Sequence, residues 1–228
     1  EMECNPVHCP YARGHYDRVN DAVFGLLQKE DFFTREVLLE QAREYQVCPF
    51  EMSLDVASWV DDIICDYNYV FDPNVYLKRF FAEGIRGDYI FLIDEAHNLV
   101  ERSREMYSAT LRKEDLLTVR KIMKRYQPKL DKDFNKCNRI LLDYKRECEN
   151  YKVYQDIGSF IFTLMNLASG LDEFLQRSTE FPERKEVSEF YFAVRNFLNM
   201  YERVDEHYVI YGEHTSEGGF LLKLYCVD

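Results

Sequence analysis

None of the nine glycines in this chain precedes a Lys-Ser or Lys-Thr pair, so there is no Gly-x-x-x-x-Gly-Lys-Ser/Thr phosphate loop. No apolar run approaches the roughly 20 residues that a membrane-spanning helix needs. The first residues carry no signal-peptide pattern, and no internal repeat or low-complexity tract is visible. These absences exclude a self-sufficient phosphate-loop ATPase, a helical membrane protein and a repeat solenoid. With no secretory route in view, the seven cysteines read as reduced thiols or metal ligands rather than disulfides. The expected setting is cytoplasmic, nucleoid-associated if the source is bacterial, with no membrane partner.

What is present argues for a folded chain. Its 228 residues allow one large domain or two small ones. Hydrophobic residues at 46% and aromatics at 15% exclude disorder despite a mean hydropathy of -0.43. The net charge of -12 argues against a nucleic-acid binder taken as a whole. Its distribution is uneven, because residues 112–147 hold 12 Lys or Arg against 6 Asp or Glu. A basic segment can face a phosphate backbone, or simply form solvated helices of mixed charge.

Tyr89-Ile-Phe-Leu-Ile93 runs directly into Asp94-Glu95-Ala96-His97. The apolar run predicts a buried strand over 89–93. Carboxylates at the end of such a strand meet solvent at the carboxyl edge of a sheet, where open α/β sheets bind ligands. One carboxylate can hold Mg²⁺ through its waters while the other orients or deprotonates a water, as nucleotide hydrolysis requires. The alternative is an acidic first helical turn that offsets the helix dipole.

Upstream, Cys4-Asn-Pro-Val-His-Cys9-Pro10 is a loop with thiols on both sides, suited to a metal. Helical spacing follows from Tyr16 to Glu30. A second helix opens at Thr34, a good N-cap with Glu36 in the first turn, and leads to Cys48-Pro49-Phe50. Cys4, Cys9 and Cys48 are three candidate metal ligands. Zn²⁺ wants four, and His8 or His15 can supply the last; an iron–sulfur cluster usually takes four cysteines. The chain begins at Glu1 without an initiator Met and ends at Asp228 after an apolar run, so it reads as a fragment with a further thiol expected just before Glu1. Cys65 lies in an expected buried strand over 62–66 and reads as packed; Cys137, Cys148 and Cys226 read as structural.

Asp72 and Pro73 predict a helix start, ending near Gly84. Strand, helix and strand over 58–100 then predict a parallel crossover, too small to stand alone. Helices are expected at about 96–107, 113–126, 132–150, 153–179 and 183–203, with breaks at Pro128 and Pro182. His207–Tyr211 and Phe220–Tyr225 predict a hairpin.

These residues, from Cys4, Cys9 and Cys48-Pro-Phe through Ile63–Pro73 to Phe91–Leu99, resemble the middle of an XPD/DinG-type DNA helicase. Such proteins are superfamily 2 ATPases with a 4Fe–4S domain and a helical arch inserted in the first motor domain. The resemblance implies a mainly α (α+β) fold, with helical cluster and arch domains around a small piece of parallel α/β motor sheet and a C-terminal hairpin. It implies a cluster domain over 1–57, partial motor domain over 58–110, arch over 111–205 and return strands over 206–228. Asp94 would hold Mg²⁺, Glu95 would activate the attacking water, and His97 would link the γ-phosphate site to the other motor domain. Cys4, Cys9 and Cys48 would be cluster ligands, with Zn²⁺ the alternative. Arg120, Lys121, Lys124, Arg125, Lys129 and Lys132 could line a passage for single-stranded or forked DNA. ATP and Mg²⁺ are implied for the intact protein, likewise a role in DNA repair. The chain alone, lacking the phosphate loop and the arginine motifs of a second motor domain, is expected to be inactive as an ATPase. The competing expectation is a non-catalytic, metal-containing module that binds DNA or a partner.

Overall fold

The computed structural model describes residues 9–228. The chain divides into two compact units, one running to Asp66 and the other spanning Tyr67–Asp228.

The first unit is a three-helix cluster: α1 (His15–Lys29), α2 (Arg35–Tyr45) and α3 (Pro49–Val56). Val19, Ala22, Val23 and Leu26 recur at helical spacing on α1, and all four are buried. They pack with Ala42 of α2, Val47, and Met52 and Val56 of α3. Gln41 is the buried polar member. Its Nε2 donates to the Ala22 carbonyl at 2.8 Å, which satisfies the amide inside the core. Thr34 caps α2 as expected, its Oγ1 accepting from Val37 N at 3.4 Å. Pro49 occupies the first turn of α3, where its missing N–H costs nothing.

The second unit opens irregularly. Two one-turn helices, α4 (Asn68–Phe71) and α5 (Lys78–Phe81), lead to an extended run and a 3-10 turn at Ala96–Asn98. Then follow α6 (Leu99–Met106), β1 (Ala109–Arg112), α7 (Lys113–Tyr126), a 3-10 turn at Pro128–Leu130, α8 (Asp131–Glu147), β2 (Tyr151–Tyr154), α9 (Gly158–Arg177), α10 (Arg184–Tyr201), β3 (Tyr208–His214) and β4 (Phe220–Cys226). The four strands form one antiparallel sheet in the order β1-β4-β3-β2. Phe160, Leu164, Leu167 and Leu171 form the fully buried stripe of α9. They join Phe134 of α8, Phe197 of α10 and Phe220, Leu222 and Leu224 of β4 in one core. Each such side chain contributes about 1.5–3 kcal/mol when removed from water.

The hairpin turn is specified locally. Gly218 sits at φ 75°, where a side chain would be strained, and its N–H donates to the Thr215 carbonyl at 2.9 Å. Gly219 N donates to Thr215 Oγ1 at 2.9 Å, and Phe220 N to Glu114 Oε2 at 3.2 Å, which ties the turn to α7.

The fold is mainly α with some β, as expected, and the C-terminal hairpin is present. Three expectations fail. Residues 62–66 and 89–93 form no strand, and Cys65 is exposed rather than packed. Backbone N–H and C=O groups of an isolated run have nothing to pair with, so apolar composition alone cannot make a strand. Asp72 does not open a helix. It follows α4, and its Oδ1 accepts from Asn74 N at 2.8 Å, the local turn that Asp offers in competition with a helix start. Finally, β1 and β2 were not anticipated. Each is four residues long, too short for its alternation to register against the helices beside it. Cys137, Cys148 and Cys226 are buried, as expected.

Candidate metal centre and acidic box

In the first unit two of the three candidate thiols lie among the described residues; Cys4, like His8, lies outside them. Cys9 and Cys48 are both free and partly exposed. The Cys9 carbonyl accepts from Ala12 N at 3.2 Å and Arg13 N at 3.4 Å, closing a turn that passes through Gly14 at φ 70° into α1. Cys48 is the N-cap of α3. His15, the first residue of α1, connects the two. Its backbone N donates to the Ala12 carbonyl at 3.3 Å, and its Nδ1 accepts from Cys48 N at 3.2 Å. The imidazole is only 4% exposed and meets Tyr16 edge to face. One turn further along α1, Arg18 braces the same junction. It donates from Nη2 to the Arg13 carbonyl at 2.8 Å and the Gln46 carbonyl at 2.6 Å, and from Nε to the Tyr45 carbonyl at 2.9 Å. Among the described residues, no group of three His, Cys, Asp or Glu side chains converges on a metal position.

The sequence singled out His15 only as a possible fourth ligand. Its bond to Cys48 spans 33 positions, and no local periodicity reports such a link. Arg18 gave no signal at all, being one charge on an ordinary helix.

In the second unit, Asp94 and Glu95 occupy an exposed turn. Glu95 adopts a left-handed backbone, φ 51° and ψ 36°. Such strain in a residue with a side chain costs on the order of 1–3 kcal/mol and clusters at functional sites. Asp94 Oδ1 accepts from Glu95 N at 2.9 Å, which holds the first carboxylate over the bend. Glu95 Oε2 lies 3.3 Å from His97 Nε2, both side chains well exposed, an ion pair whenever the imidazole is protonated. The box thus brings Asp94, Glu95 and His97 onto one turn with carboxylate oxygens open to solvent. The apolar run before it is likewise exposed, with Ile90 at 91% and Leu92 at 95%. Phe81, Tyr89 and Phe91 cluster edge to face and at a tilt. Beside them opens a cavity of about 690 Å³ lined also by Arg86 and Asp88.

The basic segment is only partly available. Arg120 donates to both Asp131 oxygens, at 2.7 and 3.3 Å, and Lys124 approaches the same carboxylate at 3.5 Å. The Arg120 bond is the main reason that the Asp131 carboxyl is held below its ordinary pKa. Arg125 and Tyr126 both donate to Glu183 at 2.7 Å. The Tyr126 bond holds Glu183 below the usual carboxylate range and pushes the phenol up. Lys121, Lys129 and Lys132 are exposed and make no ion pair among the described residues.

The DEAD_2 family matches residues 1–116, a stretch that takes in Cys4, Cys9, Cys48 and the Asp94–His97 box. Two relatives are similar over part of the chain. A protein from Anopheles gambiae, regulator of telomere elongation helicase 1 homolog, is 30% identical over 101 residues, covering 44% of this chain and 9% of that protein. A Gallus gallus protein, Fanconi anemia group J protein homolog, is 27% identical over 85 residues, covering 37% of this chain and 6% of that protein. The aligned parts thus span under a tenth of either relative. With half of its length matched, the chain belongs to the DEAD_2 family, the N-terminal region of XPD/DinG-type helicases.

Proposed function

We propose that this chain supplies the cluster, acidic-box and arch segments of an ATP-driven, iron–sulfur DNA helicase that moves on single-stranded DNA and opens duplex, in DNA repair. The observation that carries the reading is the single family match that takes in both the thiols and the box. The domain boundaries proposed are 1–57 for the cluster domain, 58–110 for part of the motor domain, 111–205 for the arch and 206–228 for the return strands.

Cys9 and Cys48 are free and partly exposed, Cys9 in the turn before α1 and Cys48 at the N-cap of α3, with Cys4 five positions before Cys9 in sequence; these thiols support the cluster reading. Bound there, a 4Fe–4S group would supply a rigid cross-link among the thiols. Cys4, Cys9 and Cys48 would hold it, while His15 and Arg18 keep the Cys9 turn and the Cys48 helix start in register.

ATP and Mg²⁺ supply the phosphoryl chemistry when bound. Asp94, already pinned through one oxygen, would hold Mg²⁺ through water. Glu95, at the strained bend, would orient and deprotonate the attacking water. His97, 3.3 Å from Glu95 through Nε2, would link the γ-phosphate site to the second motor domain. The exposed run 89–93 would gain its ladder partners from parallel strands of the motor sheet, which accounts for an apolar segment left in solvent. Lys121, Lys129 and Lys132 would contact DNA phosphates, with Lys124 and Arg125 at the margin and Arg120 holding α7 to α8.

Anaerobically purified protein tests the core of this reading. Absorbance at about 400 nm with bound iron is the expected result. Colourless protein with stoichiometric zinc would overturn the cluster. The chain alone should not hydrolyse ATP, because the Lys and Arg groups that offset transition-state charge are not in it; hydrolysis abolished by Glu95→Gln would overturn that statement.

A further inference from the structure

We infer that the outward face of the four-stranded sheet is a contact surface for single-stranded DNA, on which Tyr151, Tyr211 and Tyr225 stack bases while Arg112 and Lys223 hold phosphates. This assignment rests on the DNA-binding reading above and adds a surface to it, distinct from the lysines of α7 and α8.

One face of the sheet is committed to the core, where Ile210, Phe220, Leu222 and Leu224 are buried among the helices. Side chains alternate along a strand, so Tyr151, Tyr211, Lys223 and Tyr225 project from the other face. Tyr211 stands opposite Val153 on β2 and Lys223 on β4. Tyr151 and Tyr225 lie two residues from those partners, so the three tyrosines form one diagonal across three adjacent strands. Tyr151 is 72% exposed, and Tyr211, Lys223 and Tyr225 are partly exposed. The Tyr211 and Tyr225 ring centroids are 6.5 Å apart and the rings meet edge to face, so neither covers the face of the other. That spacing is about twice the 3.4 Å rise of a stacked strand, which suits a stretched single strand seating one base on each ring and excludes a duplex. Lys223 Nζ lies 4.8 Å from the Tyr225 ring centroid, and Arg112 is exposed at the end of β1. Neither cation makes an ion pair among the described residues. They outnumber the one outward carboxylate of the sheet, Glu213. Aromatic rings interleaved with free cations are a platform for single-stranded nucleic acid, because every base has a face to stack. The outward aliphatic side chains are only Val153, Val209 and the buried Leu221, too few for the apolar centre of a stable protein interface.

The test measures fluorescence anisotropy of a labelled oligothymidylate and of an abasic strand of the same length, with circular dichroism melts in parallel. Tyr151→Ala and Tyr211→Leu are each expected to weaken oligothymidylate binding about tenfold while leaving the abasic strand unaffected, because only bases stack. Tyr211→Phe keeps the ring and should keep the affinity. Lys223→Gln should weaken both strands and lower the salt slope by about 0.7, the value of one phosphate contact on a single strand. Glu213→Gln should tighten both. Unchanged oligothymidylate binding in folded Tyr151→Ala and Tyr211→Leu proteins overturns the inference and leaves the face to a protein partner. Equal losses on the two strands also overturn it, since the backbone alone would then be held. If Tyr211→Leu does not fold, Tyr151→Ala, at an exposed position, decides by the same comparison. Binding that survives both tyrosine changes but is lost on neutralising Lys121, Lys129 and Lys132 would sink this surface and leave the DNA reading standing. An unaltered chain that binds neither strand would sink both.

Discussion

Two apolar runs in the second unit, Tyr89–Ile93 and Phe220–Tyr225, are nearly interchangeable on composition, yet their fates are opposite. The second becomes β4, the central strand between β1 and β3, with Phe220, Leu222 and Leu224 fully buried. The first pairs with nothing among the described residues and leaves Ile90 and Leu92 in solvent. A strand is a property of a ladder, not of a segment. β4 has β3 as a neighbour across a five-residue turn built on Gly218, so closing the loop costs little entropy. The run 89–93 has no such neighbour, and the apolar surface that would stabilise a sheet remains uncovered.

Truncating the two runs tests the contrast most severely. Phe220→Ala should destabilise the second unit by about 3–5 kcal/mol and Leu222→Ala by about 2–5 kcal/mol in urea unfolding. Leu92→Ala should cost less than about 0.5 kcal/mol. Comparable losses at Leu92 and Leu222 would falsify the claim that only one run is part of a core.

Next in size is the polar counterpart, the Arg120–Asp131 bond between α7 and α8. The folded-state pKa of Asp131 is depressed, chiefly by the hydrogen bond from Arg120. Its contribution is therefore present above the unfolded carboxylate range and is lost as pH falls through the folded value. Asp131→Asn should remove part of the acid-side fall in stability while leaving Leu92 variants, which touch no charge, with the original profile. An unaltered acid limb in melts across pH would show that the pair does not hold the helices.

Smaller effects separate cap from surface. Thr34→Ala removes a long hydrogen bond, so a loss at the low end of the usual range is expected, about 0.5 kcal/mol, confined to the first unit. Replacing Ile90 and Leu92 with Lys should leave stability within about 0.5 kcal/mol and lower the binding of a hydrophobic dye. Undiminished dye binding would place the exposed apolar surface elsewhere. Neutralising Lys121, Lys129 and Lys132 should weaken single-stranded DNA binding and flatten its salt dependence without changing the melting temperature. Neutralising Arg120 should instead lower the melting temperature, and equal DNA effects from both would erase the distinction between free and committed cations.

Much of this architecture was legible in the sequence where the signal is short-range. The span expected for α7, 113–126, coincides with the observed helix, since its apolar residues keep one face and Pro128 stops it. The hairpin was legible because alternation changes to period two around Gly218-Gly219. Thr34 announced α2 by chemistry within three residues. The box was legible as a motif, but its left-handed Glu95 was not, because backbone strain is imposed by surroundings rather than by composition. The strand expected at 62–66 failed for the same reason as 89–93: the pattern reports the capacity to pair, and pairing needs a second chain segment.

Helix periodicity, capping, turn chemistry and the ordered thiols and acidic box were therefore determined by the sequence alone, and they suffice to place the chain in its family. Tertiary structure decided three other things. It selected which apolar runs enter a sheet. It committed Arg120 to Asp131 and Arg125 to Glu183 rather than leaving them all to solvent. It also tied the start of α3 at Cys48 to α1 through the buried imidazole of His15. In the Arg120, Arg125 and His15 links the partner lies at least 11 residues away, so it is chosen by packing and the burial of polar groups, not by the neighbours that local patterns record.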